Sequence, residues 1–185
     1  IKMLEGDRDK YNSEYFKRAR SNTKTEKQEL NWINPAEIKD IFNVVQTRAK
    51  NIKNPSKPSD YKKINELMIL TYYLTPFFDK KAKYGVGRND LASLRLTRDM
   101  KRAKSQKSDN WLVLNKTGQI VLNNYKTSDS HGSITFKLPL SVTKVFDSYV
   151  NTMNVSENDY ILVLDPNHSH ISSNHLSKIL TRLFE

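Results

Sequence analysis

The feature that most limits how this chain can fold is a change of apolar period near its middle. Trp111-Leu112-Val113-Leu114 and Gln119-Ile120-Val121-Leu122 are short β-type runs separated by Asn115-Lys116-Thr117-Gly118, a hairpin signature. A third run, Ser133-Ile134-Thr135-Phe136-Lys137-Leu138, follows a polar turn over Thr127 to Gly132. It alternates polar with apolar side chains, as a half-buried strand requires. Together the three runs predict a three-stranded antiparallel sheet.

Helical signals flank that sheet. Asn34-Pro35-Ala36-Glu37 has the form of a helix start, with Asn as N-cap, Pro in the first turn and Glu at the capping-box position. A helix is expected from about Pro35 to Lys50, with Ile38, Ile41, Phe42 and Val45 on one face. The segment Asn51 to Asp60, with two prolines and two serines, reads as a loop. A second helix covers roughly Tyr61 to Thr75 and is apolar nearly all round from Leu67 to Leu74, which predicts burial; Pro76 is expected to end or kink it. Leu91, Leu94 and Leu96 carry a short helix into a strand. Arg95 to Lys107, with six basic residues against one acidic, reads as a solvated loop. Helices follow at about Pro139 to Met153 and Ser172 to Leu183, with Asp159 to Leu164 extended between them. The fold class is α+β, mainly helical.

Charge narrows the partner. Among 185 residues, 31 Lys and Arg stand against 20 Asp and Glu, a formal charge of +11 that favours a polyanion, nucleic acid first. A membrane is disfavoured, because the longest apolar stretch, Leu67 to Phe78, is interrupted and falls short of the roughly 20 residues that span a bilayer. Ile1-Lys2-Met3-Leu4 runs into Glu5, Asp7, Arg8 and Asp9 rather than an apolar signal core, so the chain is expected to be soluble and intracellular. Without cysteine there are no disulfides and no thiolate zinc sites. His168, His170 and His175 cluster near the C-terminus, but Asp165-Pro166-Asn167-His168-Ser169-His170 reads as a polar turn and not as a metal site. Residues 1–28, charged and poor in aliphatics, read as a basic linker or the tail of an upstream DNA-binding element. Residues 29–185 read as the N-terminal major part of one domain.

Two short motifs carry the chemistry. Gly87-Arg88-Asn89-Asp90-Leu91 follows the apolar helix, and Asn123-Asn124-Tyr125-Lys126-Thr127, with Gly132 beyond, closes the second strand of the hairpin. The order of helix, arginine turn, small sheet with a lysine at a strand turn, then further helices resembles the catalytic domains of tyrosine recombinases. It is most similar to integrases of viruses and mobile elements, which carry Arg-x-Asp and Asn-x-Tyr-Lys-Thr versions of these motifs. Glu26-Lys27-Gln28 with Asn31-Trp32 is similar to the lead-in of that group. The resemblance spans about Thr25 to Glu185.

The resemblance implies a tyrosine hydroxyl that attacks a DNA phosphodiester and leaves a 3′-phosphotyrosyl bond, with no nucleotide, redox or metal cofactor. It implies that the Arg88 guanidinium meets the developing phosphorane charge and that Lys126 is the general acid toward the leaving 5′-oxygen. Asp90 would hold the neighbouring backbone or the guanidinium. Lys101, Arg102, Lys104 and Thr127 would contact double-stranded DNA, on which relatives assemble as tetramers. Plainer readings stand beside these: Arg88 as a surface arginine after a glycine turn, Lys126 as a solvated turn lysine, and Asp90 as an acid at a helix N-terminus. The basic runs Lys17 to Lys27 and Arg95 to Lys107 fit solvated faces as well as phosphate tracks. Tyr125 and Trp111 fit core or sheet-face aromatics better than base-stacking platforms.

The family's later motifs, His-x-x-Arg, a further His or Trp, and the nucleophilic tyrosine, are not found after Lys126. His175-Leu176-Ser177-Lys178 has the spacing but ends in lysine, and it falls in the helix that in relatives precedes the true motif. The last tyrosine, Tyr160, lies before that helix. The chain is therefore expected to stop within the domain, and as it stands to bind DNA without cleaving it. Three functions remain: a fragment of a recombinase or integrase, a non-catalytic DNA-binding module of the same fold, and a type IB topoisomerase. The viral-type motif forms favour the first.

Overall fold

The computed structural model describes residues 2–21, 26, 29, 33–78 and 87–184. The chain divides into two compact units, Ile1–Glu37 and Ile38–Glu185. In the first, α1 (Lys2–Ser21) is helical where the composition suggested linker or tail, and its side chains from Gly6 to Lys17 are exposed. Of the lead-in motif, Lys27, Gln28, Asn31 and Trp32 lie outside the described residues.

α2 (Pro35–Ala49) starts as its sequence dictates. Asn34 Oδ1 accepts from the amides of Ala36 at 2.9 Å and Glu37 at 3.0 Å, while Glu37 Oε2 accepts from the Asn34 amide at 2.8 Å. That reciprocal pair satisfies amides that a helix start otherwise leaves open. Further along, Val45 packs with Leu70 and Leu74, and Ile38, Ile41 and Phe42 border the same cluster. α3 (Pro58–Phe78) does not end at Pro76, since the helix runs through the proline to Phe78. The ring removes one amide near the helix end, and the turns before it are fixed by burial, with Met68, Ile69, Leu70 and Tyr72 at most 2% exposed.

The rest of this unit runs α4 (Arg88–Ala92), β1 (Leu94–Thr97), α5 (Met100–Ser105), β2 (Asn110–Leu114), β3 (Gly118–Leu122), α6 (Ser128–His131), β4 (Ile134–Lys137), α7 (Leu140–Thr152) and α8 (Ser173–Leu183). The fold is mixed α/β. Its sheet has four strands in the order β1-β2-β3-β4 and not the three expected. The hairpin and β4 are antiparallel, with Trp111 opposite Val121 and Val121 opposite Thr135, but β1 joins β2 in parallel, Leu94 opposite Asn110. A parallel neighbour needs a chain return between the strands, and α5 makes it. The expected loop from Arg95 to Lys107 is thus a strand end and a helix. Asp99 caps α5 by accepting from the Lys101 amide, and Ala103, fully buried, docks it on Trp111, Val113 and Val121. One alanine in a charged run anchors the segment.

The hairpin of β2 and β3 is buried on both faces, whereas β4 is half-buried, with Thr135 and Lys137 exposed. Leu112, Leu114, Ile120 and Leu122 face the main core with Met68, Ile69 and Tyr72 of α3 and Phe146 and Val150 of α7, whereas Trp111, Val113 and Val121 face α5. Gly118 lets α7 approach, since a Cβ there would meet Thr143 Oγ1 and come within 2.8 Å of Thr143 Cγ2. The free edge of β1 is covered by the extended piece after α7, through Asn158 N to Leu96 O, Leu96 N to Asp159 O and Ile161 N to Leu94 O. Among the described residues, no helix is long and apolar enough to cross a membrane.

Candidate functional site

α4 opens at Gly87, an extended N-cap without a side chain of its own to cap the helix. Asp90, in the first turn, does that work from inside: its carboxylate accepts from the Gly87 amide and lies so close that a Cβ at Gly87 would sit 3.0 Å from Oδ2. Burial pushes the Asp90 carboxyl above the usual carboxylate range, and the Gly87 amide opposes that rise. Asp90 therefore fits both roles given to it, helix acid and backbone holder. Arg88, one residue inside the helix, is exposed, and its Nη1 donates to Ser177 Oγ of α8 at 2.8 Å. The Ser177 hydroxyl donates in turn to the Ser173 carbonyl at 2.9 Å. Beneath this turn the Tyr73 hydroxyl is pushed up to about 12 by burial, against the pull of the Arg88 charge.

Lys126 stands on the turn after β3, and an asparagine on the next strand shapes that turn. Asn110, 2% exposed, accepts from the amides of Asn123 and Asn124 at 2.9 Å each and donates to the Asn124 carbonyl at 2.7 Å. Asn123 in turn spreads its side-chain amide over the carbonyls of Ala103, Gln106 and Asp109. The Tyr125 hydroxyl donates to the Gly132 carbonyl at 2.8 Å and closes the far side of the turn over α6. Lys126 itself is exposed.

Both motifs line one open cleft of about 820 Å³, through Gly87 to Asp90 and Asn124 to Lys126, together with Asp109 and Tyr160. Two cations and two carboxylates therefore share it. Asp109 is engaged by Arg95, whose Nε reaches Oδ1 at 3.0 Å. Arg95 also lies 4.2 Å over the Tyr160 ring, and the same ring stacks on His170 at 4.0 Å between centroids. His170 Nε2 lies 2.7 Å from the Ala92 carbonyl, to which it donates. These contacts fix the floor and leave the exposed Arg88 and Lys126 facing solvent.

The remaining expected site residues lie outside this lining. Lys101 and Lys104 are exposed on α5, while Arg102 lies 5.7 Å over the Trp111 ring, and Thr127 is exposed at the start of α6. Trp111 is a core residue at 1% exposure, and Tyr125 is half-buried against the main core. His175 sits in the first turn of α8, its amide donating to the Ser172 cap. Sequence reasoning missed Asn110, Asp109 and Ser177. Only the repeated asparagines around the hairpin, Asn110, Asn123 and Asn124, signalled that side-chain amides organise the turn. Comparison with protein-family models, curated proteins and solved structures finds no match to this chain.

Proposed function

We propose that this chain carries part of the active site of a tyrosine-recombinase-like enzyme that cuts and rejoins double-stranded DNA. The observation that supports the reading best is that Arg88 and Lys126, singled out by motif and far apart in sequence, line the same open cleft. In the proposed reaction the Arg88 guanidinium holds non-bridging oxygens of the scissile phosphate, where a planar, permanently charged fork suits two oxygens at once. A tyrosine hydroxyl, losing its proton to solvent, forms the 3′-phosphotyrosyl bond as the bond to the 5′-oxygen breaks. Lys126 gives its proton to that oxygen. The Ser177 contact orients Arg88, and Asp90 fixes the turn from which it projects.

The test is covalent capture of DNA by the complete protein. Arg88→Ala and Lys126→Ala are each expected to lower the yield of protein–DNA adduct by roughly 100-fold or more, the scale of a lost charge-stabilising group or proton donor, with DNA binding largely retained. Adduct formation at wild-type rate in both variants refutes the assignment. A DNA-binding module without chemistry is the second reading. It is favoured by the two tyrosines of the cleft wall, since Tyr125 is tied to Gly132 and Tyr160 is held between Arg95 and His170. Binding by the complete protein with no adduct selects it. Relaxation of any supercoiled circle, in place of exchange between two specific sites, selects a type IB topoisomerase.

A further inference from the structure

The two arms of the cleft are joined by one buried side chain. Asn110 lies at the first position of β2, and its four hydrogen bonds divide between the elements that carry Arg88 and Lys126. Toward the lysine turn, Oδ1 accepts from the Asn123 and Asn124 amides and Nδ2 donates to the Asn124 carbonyl. Toward α4, Nδ2 donates to Ser93 Oγ at 2.9 Å, and the Ser93 hydroxyl donates to the Asp90 carbonyl at 2.9 Å. The path from the arginine helix to the lysine turn is thus Asp90, Ser93, Asn110, Asn124, all at hydrogen-bond distance. A carboxamide is the one neutral side chain of this length that supplies an acceptor for two amides and donors in two directions. A purely apolar residue here would bury the sheet equally well but leave the turn without its amide partner.

We infer that Asn110 is a positioning residue that holds Lys126 in register with Arg88. The inference deepens the reading above and rests on Lys126 as the proton donor. A lysine on an exposed turn has many rotamers. Fixing the backbone at Asn123 and Asn124, directly before Tyr125 and Lys126, by bonds from the same residue that is tied to α4 sets the direction from which the lysine leaves the turn and so holds its ammonium to one side of the cleft. Loss of Asn110 should therefore act on proton delivery to the leaving oxygen more than on phosphate capture by Arg88.

The experiment uses the complete protein and a duplex selected by covalent capture from a random-sequence pool, made in two forms, with oxygen or with sulfur at the bridging 5′ position of the scissile phosphate. A thiolate leaves without a proton, so a defect confined to the general acid disappears with sulfur. Lys126→Ala and Asn110→Ala are both expected to slow single-turnover cleavage of the oxygen substrate by roughly 100-fold and to recover most of that rate with sulfur. Arg88→Ala is expected to stay slow on both. Ser93→Ala, which cuts only the tie to α4 and keeps every bond of Asn110 to the turn, covers the case in which the Asn110 variant does not fold, and should show a smaller loss with the same recovery. If Lys126→Ala recovers with sulfur while the Asn110 and Ser93 variants cleave at the wild-type rate or stay equally slow on the two substrates, the inference falls and the reading of Lys126 survives. If Lys126→Ala shows no recovery, or the wild-type protein captures no DNA, the reading falls and the inference with it.

Discussion

Asp90 combines a favourable local bond with an unfavourable setting. Its carboxylate closes the first turn of α4 onto the Gly87 amide, yet burial raises its pKa, so ionisation is harder in the folded chain than in the unfolded one. A raised folded-state value means that the folded chain holds the proton more tightly. The stabilisation this brings is whole below the unfolded pKa and is lost as pH rises through the folded one. Asp90→Asn keeps an acceptor for Gly87 and removes the charge, so at pH 7 it is expected to unfold at higher urea than the wild type. The gap should close as pH falls through about 4, the ordinary carboxylate range. A variant less stable at pH 7 would show that the carboxylate draws more from the Arg88 charge nearby than it loses to burial. Arg88, Asp90 and Lys126 stand out in the sequence because each is a charged residue in a short pattern, and all three line one cleft. Asn110 was not, because its partners lie 13 to 17 residues away and exist only once β1, β2 and β3 are side by side.

The elements around the cleft are locked by a second polar network in the core. The Tyr149 hydroxyl of α7 donates to Asn65 Oδ1 of α3 at 2.7 Å and accepts from the Val163 amide at 3.3 Å, while Asn65 Nδ2 donates to the Val163 carbonyl at 2.8 Å. All three residues are at most 3% exposed, and burial raises the Tyr149 phenol well above its ordinary range, so it stays a neutral donor. Tyr149→Phe leaves an asparagine oxygen and a backbone amide buried without that partner. It is expected to destabilise the fold by about 1–3 kcal/mol in chemical denaturation. Adding Asn65→Leu should cost less than the sum of the two single changes, because the partners act as one unit. Long helices and the hairpin were readable since their periods or turn residues are local, as the Asn34 cap and the Asn115–Gly118 turn illustrate. The strand at Leu94 to Leu96 was readable as a strand, but its parallel place beside β2 and the helix α5 were not. Each is short, and each is fixed by what it packs on: β1 by pairing with β2 and the chain after Asn158, α5 by the burial of Ala103. Pro76 as a helix end misled in the opposite direction, since a strong local signal was outweighed by the buried turns of α3 before it.

At the scale of the whole chain, a charge of +11 favours a polyanion, DNA in the function proposed above, but does not say which face would meet it. On that proposal, the side chains of α5 differ in what they are free to offer. Arg102 is partly committed to Trp111, whereas Lys101 and Lys104 are exposed one turn apart, with no fixed partner for their ammonium groups needed to hold the helix in place, since Asp99 and Ala103 do that. Each lysine that neutralises a phosphate releases condensed counterions, and each such contact contributes about −0.9 to the slope of log affinity against log salt on duplex DNA. The double change Lys101→Ala and Lys104→Ala is therefore expected to make that slope shallower by about 2 while leaving the melting temperature nearly unchanged. A slope equal to that of the wild type would mean that α5 faces solvent in the complex and that the charge useful for binding lies elsewhere. Arg88→Ala measured on the same duplex separates the two surfaces: if the cleft and α5 both meet the backbone, the losses in slope add, because the residues share no hydrogen bond and act on different phosphates.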